Sequence, residues 1–368
     1  MDWDDSKEDA IPEITTRRGY LLKDVARSFL QVLGESGPIA SGKILHFTAD
    51  LIASGGLPLW QKMCWDYTYE HIGVASPRIF LFMLRRFKDI NEVFSKNTLE
   101  VFCNIPEIQQ HTSEIVIILQ MCPKKTKTKL PSVPVETHEN EEWLRSVLRT
   151  TDKMAVRKVW QKSMDLEPML HAGNEMVYAI TEGATERALF WVKWLLEEDA
   201  IIRKKYGTGL TTMERGPSSL KPVQKASVGY YLIAVLAEAY KEFAEKGMIR
   251  MHEEFQSLLD IYRSTDAKNT QKRKLDTISI MVQLLTDVPK WKVPAAPSLV
   301  TDPTQLTRLV EQSHTFFKEV LQLPLLKKPI PATITGLKQK KAKEPSKEAA
   351  LQKRLDLIDK AAMDYYRM

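Results

Sequence analysis

The chain has 368 residues, 43% of them hydrophobic and 27% charged, with a net charge of +6; this suits two or three globular domains and excludes a wholly disordered polypeptide. Three cysteines, Cys64, Cys103 and Cys122, give no disulfide framework, so a reducing compartment is expected. The longest apolar runs, "IVIIL" and "YYLIAVLA", fall far short of the ~20 residues that span a bilayer, so no membrane segment is expected, and scarce glycine beside abundant Leu, Lys, Glu, Ala and Met favours an all-α fold.

Residues 1–16 read as an acidic disordered tail without the basic and apolar regions of a secretory signal; Asp2, Asp4, Asp5, Glu8, Asp9 and Glu13 stand against Lys7 alone. An N-terminal helical domain follows over 17–122. Leu21, Leu22, Val25, Phe29 and Leu33 recur at helical spacing up to Gly34, and Ile44, Leu45, Thr48, Leu51 and Ile52 repeat the pattern before Gly55-Gly56. Pro58 opens a segment rich in Trp, Met and Tyr, and Ser76-Pro77 supplies a helix start for "RIFLFMLRRFKDINEVF". Ser113 is placed to cap "EIVIILQM", whose β-branched run equally fits a buried strand.

At 123–138 the composition shifts to proline and lysine with no apolar period, which marks a basic linker. A C-terminal helical domain is expected over 139–323. Its helices include one behind Asp152 as N-cap, "ATERALFWVKWLLEEDAIIRKK", "KASVGYYLIAVLAEAYKEFAEK", "RMHEEFQSLLDIYRS", "RKLDTISIMVQLLTDV" and a last one near 303–322. Residues 324–346 are basic and extended, and 347–368 form an amphipathic helix behind Ser346.

The stretch "GPIASGKI" at 37–44 matches G-x-x-x-x-G-K but not the chemistry of a nucleotide loop. Such a loop follows a strand and ends in a hydroxyl that binds Mg²⁺, whereas here a helical pattern precedes it and Ile44 takes the hydroxyl position. The expectation is an inter-helix turn with Gly37 and Gly42 serving the backbone. Cys64 with His71, and Cys103 and Cys122 around His111, lack metal-ligand spacing, and no nucleophile motif is present; no cofactor, metal or catalytic residue is assigned. Phe190, Trp191 and Trp194, beside Arg187 and Lys193, read as core, as do Tyr230 and Tyr231.

The basic segments carry the functional signal. Lys124, Lys125, Lys127 and Lys129 in "PKKTKTK", and Lys338, Lys340, Lys341 and Lys343 in "KQKKAK", share K-K-x-K, the pattern of import peptides and phosphate-contacting arms. Lys153, Arg157, Lys158 and Lys162 on one helical face, and the cluster Lys272, Arg273 and Lys274, extend that footprint. Leu351, Leu355, Ile358, Ala362 and Tyr365 fall at spacings of four and three, a stripe suited to a protein partner's groove, with Tyr366 beside it. The closing "AAMDYYRM" resembles sliding-clamp-binding peptides in its paired aromatics, with Asp359 and Ala362 in place of their Gln and aliphatic residue.

Two stretches, "MCWDYTYEHIGVASPRIFLFMLRRF" with "EIVIILQMCPKK" behind it and "ALFWVKWLLEEDAIIRKK", resemble segments of an uncharacterised helical protein family of nucleocytoplasmic large DNA viruses. That resemblance implies a viral protein in the cytoplasm or nucleus of an infected host cell, serving genome replication, transcription or assembly, and carries over no catalytic residue. The function expected is therefore a non-enzymatic binding or scaffold protein, with basic linkers for non-specific nucleic acid and a C-terminal helix for a protein partner. The alternative is an enzyme whose site assembles between two helical domains. Deleting 346–368 is expected to leave the melting temperature of the remainder unchanged while abolishing recovery of one specific partner; a large loss of stability would place the stripe in the chain's own core.

Overall fold

The computed structural model describes residues 14–247, 253–264, 270–286, 299–300 and 302–324. Among them the fold is all-α, with no named strand and two isolated bridges, Thr15 with Leu21 and Asp165 with Thr211. No described helix is long and apolar enough to cross a membrane. The helices are α1 (Leu22–Leu33), α2 (Pro38–Ala53), α3 (Leu57–Tyr67), α4 (Arg78–Lys96), α5 (Leu99–Asn104), α6 (Pro106–Met121), α7 (Glu141–Val147), α8 (Met154–Arg157), α9 (Glu167–Thr181), α10 (Thr185–Tyr206), α11 (Pro222–Lys225), α12 (Val228–Glu245), α13 (Glu253–Arg263), α14 (Gln271–Thr286), α15 (Pro303–Glu311) and α16 (Ser313–Leu321). The chain forms two compact units. Among the described residues, one gathers those up to 68, 85–123 and those from 299; the other holds 69–84 and those from 124 to 286.

The first unit is organised around α2, which packs with α1, α3, α5, α6 and α16. Its sequence is apolar on nearly every side, as a fully enclosed helix requires, and Ile44, Leu45, Phe47, Leu51 and Ile52 are all buried. Some of the polar groups at α2 are used as ties. Ser41 Oγ donates to Gln120 Oε1 at 3.2 Å and Gln120 Nε2 donates to the Val32 carbonyl at 2.8 Å, which links α2, α6 and α1. At the other end, Ser54 Oγ accepts from the Arg17 amide at 2.8 Å and Asp50 from the Arg18 amide at 3.3 Å, holding the segment before α1.

Gly37 has φ of +103°, a conformation open to glycine, and Pro38 follows as the first residue of α2, where its missing N–H is not needed. The P-loop-like stretch is thus a helix start preceded by α1. Gly42, expected in the turn, lies inside α2 instead. Ser113 is likewise inside a helix and caps nothing, because α6 begins at Pro106 after an extended Ile105, and the β-branched run is helical rather than a strand. The helix expected near 303–322 is divided at Gln312 into α15 and α16. Both pack on α6, and α16 also on α2 and α5, burying Leu309, Phe317 and Val320, so they belong to the first unit although the sequence reading grouped them with 139–323.

In the second unit α9 and α10 pair along their lengths, and α12 and α14 pack on both. The expected aromatic core is present: Trp191 and Trp194 of α10 are buried, with Trp143 of α7 at 6.0 Å from each ring. Irregular segments are held by acids of these helices. Glu175 Oε1 accepts from the amides of Arg149 and, at 2.9 Å, Thr150; Asn174 accepts from the Lys153 amide at 3.0 Å and donates to the Thr151 carbonyl at 2.8 Å. Glu198 accepts from the Glu139 amide and from His138 Nδ1 at 2.8 Å. Asp199 accepts from the Leu210 amide at 2.8 Å and from Arg203 Nε at 2.7 Å. That approach fixes Gly209, where a Cβ would stand 2.3 Å from the Asp199 carboxylate. Asp165, with no exposed side-chain surface, takes the Gln161 amide at 2.8 Å and pairs with Arg215. This is why α8 covers only four residues, with Lys153 rather than Asp152 at its N-cap: beyond Lys158 the chain turns to meet Asp165.

Glu175→Ala leaves two loop amides without their acceptor and is expected to lower stability by roughly 2–3 kcal/mol. Glu141→Ala removes only an exposed pair with Arg145 and is expected to cost under about 0.5 kcal/mol. Urea midpoints of the two variants against the parent chain check the contrast.

Candidate nucleic-acid interface

Residues 124–130 carry no helix, yet their backbone is anchored on the second unit. The Lys125 amide donates to the His71 carbonyl at 2.8 Å and the Lys127 amide to the Glu70 carbonyl at 2.9 Å. Both carbonyls lie in the π-helical turn over residues 68–72, which a 3₁₀ turn over 73–75 follows. Thr128 Oγ1 donates to Gln283 of α14 at 2.7 Å. The expected linker is, over these residues, a pinned strap.

Pinning divides the four lysines. Lys124, Lys125 and Lys129 are exposed, and neither Lys125 nor Lys129 has an ion-pair partner among the described residues. Lys127 is half-buried and its ammonium pairs with Asp276 of α14. Burial pushes the Asp276 carboxyl above the usual carboxylate range, while the hydrogen bond and charge of Lys127 pull it back. Beside this pair lies a cleft of about 20 Å³ bounded by Tyr69, Gly73, Val74, Thr126 and Ser279. It has room for about one water, far below the ~300 Å³ of a small-molecule site. Tyr69 shares a hydrogen with Thr277 at 2.8 Å, and burial raises its phenol. The strap therefore offers two things: a fixed backbone and outward ammonium groups.

The other basic candidates separate as well. Arg157 holds Asp152, with Nε at 3.1 Å, and Lys158 lies 3.7 Å from Glu238, so these do not act as one helical face with the exposed Lys162. Lys153 lies against the Tyr178 ring. Lys272 is exposed, Arg273 is buried, and Lys274 sits over the rings of Tyr230 and Tyr262, where desolvation lowers its pKa. Lys338, Lys340, Lys341 and Lys343, and the stripe Leu351, Leu355, Ile358, Ala362, Tyr365 and Tyr366, lie outside the described residues.

The three cysteines are buried. Burial pushes the Cys103 thiol up to about 12 and the Cys64 thiol well above its ordinary value, the opposite of what a thiolate nucleophile needs. No cluster of three or more His, Cys, Asp or Glu side chains suited to a metal occurs among the described residues. Asp276 was invisible in the sequence because its partner is remote, and only a Lys-rich segment next to a buried acid in space reveals it. Comparison with protein-family models, curated proteins and solved structures finds no match to this chain.

Lys127→Ala strands the Asp276 carboxylate and is expected to cost roughly 2 kcal/mol at neutral pH. A carboxyl whose folded pKa is raised favours the fold below its unfolded pKa and loses that contribution as pH rises through the folded value. The cost of Lys127→Ala should therefore shrink as pH falls toward ~4 and vanish in an Asp276→Asn background. Denaturation at pH 4 and pH 7 checks both, and Lys125→Ala should leave stability unchanged.

Proposed function

We propose that this protein is a non-enzymatic helical binding protein whose strap at 124–129 engages the phosphate backbone of a nucleic-acid strand. One observation carries the reading: a lysine-rich segment whose peptide amides are fixed to His71 and Glu70, while Lys125 and Lys129 extend into solvent without acidic partners among the described residues. A tether of mobile lysines loses conformational entropy on binding; a pinned one presents its charges at lower cost. Contacts of this type position a backbone and read no bases, so binding should be indifferent to sequence. In this reading Lys124, Lys125 and Lys129 contact phosphate and Lys127 supports them by holding the strap to α14. The segment around Lys338, Lys340, Lys341 and Lys343 adds charge, and the stripe from Leu351 to Tyr366 docks a protein partner. The viral resemblance assigns such binding to genome replication, transcription or assembly.

Fluorescence anisotropy with a labelled single-stranded oligonucleotide tests the assignment. Affinity should fall steeply with salt, and the Lys125→Gln/Lys129→Gln double variant should flatten the log–log slope by about 1.4, since each phosphate contact on a single strand contributes about 0.7. An unchanged slope, or affinity that persists at high salt and depends on base sequence, would count against it.

A further inference from the structure

Lys274, in the first turn of α14, sets its amine against two tyrosines of neighbouring helices. Its Nζ lies 5.2 Å from the ring centroid of Tyr230 on α12 and 5.4 Å from that of Tyr262 on α13, and the two rings meet edge to face, 5.4 Å apart at 90°. The Tyr230 hydroxyl stands 3.4 Å from the amine, a long contact. Burial raises both phenols, so each stays neutral at physiological pH and sets no negative charge beside the lysine.

No acid among the described residues pairs with Lys274. The acids of the surrounding elements are engaged elsewhere. Asp276, two residues on in α14, holds Lys127; Asp260 of α13 accepts from Gln256 at 2.9 Å; Glu214, on the loop whose Gly216 lies against the Tyr230 ring, pairs with Lys225 at 3.2 Å. The charges close by are positive: Lys272 and Arg273 on the same turn, and Arg263 of α13, whose charge acts on Tyr230. Lys205, Lys241 and Lys246 of the same unit hold carboxylates, and Lys272 is exposed to water.

An ammonium needs water or an acid, and ring faces offset only part of the hydration it loses. Desolvation accordingly lowers the pKa of Lys274. A lysine so placed keeps its lone pair available for attack on a carbonyl carbon. The side chain is half-buried rather than enclosed, so a small electrophile can reach it. Conversion to an amide removes the charge and sets an apolar group beside the two rings.

We propose that Lys274 is a site of covalent acylation, its amine accepting a small acyl group from a thioester. The nitrogen lone pair forms a bond to the thioester carbonyl carbon, the carbon–sulfur bond breaks, and the sulfur leaves with that electron pair. The proton lost from nitrogen goes to the thiolate or to water. The site is independent of the strap and its ligand.

The test exposes the full chain to limiting S-acetyl-coenzyme A and reads the relative acetylation rate of each lysine by peptide mapping. At about pH 7.5 Lys274 should react at least about threefold faster than the exposed Lys272, because more of its amine is unprotonated. Near pH 10.5, where protonation limits neither amine strongly, the order should reverse in favour of the more accessible Lys272. Gln271→Glu puts a carboxylate three residues before Lys274 and should bring its neutral-pH rate down to that of Lys272. In denaturant the two lysines of the parent should react alike. A Lys274 slower than Lys272 at both pH values overturns the proposal, as does a preference that survives denaturation, since it would then belong to local sequence. A fast acetylation phase that persists in Lys274→Arg also overturns it.

Discussion

Every buried backbone amide must find an acceptor, and among its described residues, which form no sheet, the second unit satisfies its irregular segments from side chains, most of them on helices. Glu175 and Asn174 take up the chain at 149–153, Glu198 takes the Glu139 amide, Asp199 the Leu210 amide and Asp165 the Gln161 amide. These acids are buried, so each is matched to hydrogen-bond donors rather than to water. The same device has a further effect on charge. Carboxylates turned inward are not available to neutralise lysines on the outside, and Lys125 and Lys129 are among the cations without an acidic partner among the described residues.

The first unit meets the analogous requirement with fewer and different ties. A helix enclosed on nearly all sides has little room for charge, and Asp50 of α2 is raised in pKa by its burial even with the Arg18 amide and the nearby arginines opposing. His46, one turn earlier, is held down to about 3, first by burial and then by the Arg18 charge. The imidazole is thereby kept uncharged at physiological pH, and the carboxyl is easier to protonate than usual. Gln120 bridges α1 and α2 with neutral groups alone.

Much of the helical content was legible because the apolar period is strong where one face is buried, as in α1 and α13. Boundaries failed where local signals competed with tertiary ones. Ser113 is a good cap by type, but Pro106 had already begun the helix; Asp152 is a good cap by type, but the pull of Asp165 on the Gln161 amide ended α8 within one turn. Gly42 looked like punctuation and is a buried helix position instead. For the candidate interface, lysine density in "PKKTKTK" was visible, whereas the split between Lys127 and its neighbours depends on Asp276, which no local pattern announces.

The discontinuity of the first unit bears on how the chain emerges during synthesis. Its central helix α2 is complete early, but α16, which covers part of it, follows only after the whole of 124–298. At 5–20 residues per second the interval between α6 and α16 is on the order of 10–40 s. Throughout that time a helix apolar on almost every side waits with part of its surface uncovered, while the intervening unit has all of its own chain to fold with. Nascent protein arrested before residue 303 should therefore be a far better client of chaperones than the finished molecule, and its vulnerability to aggregation belongs to the ribosome rather than to the native state.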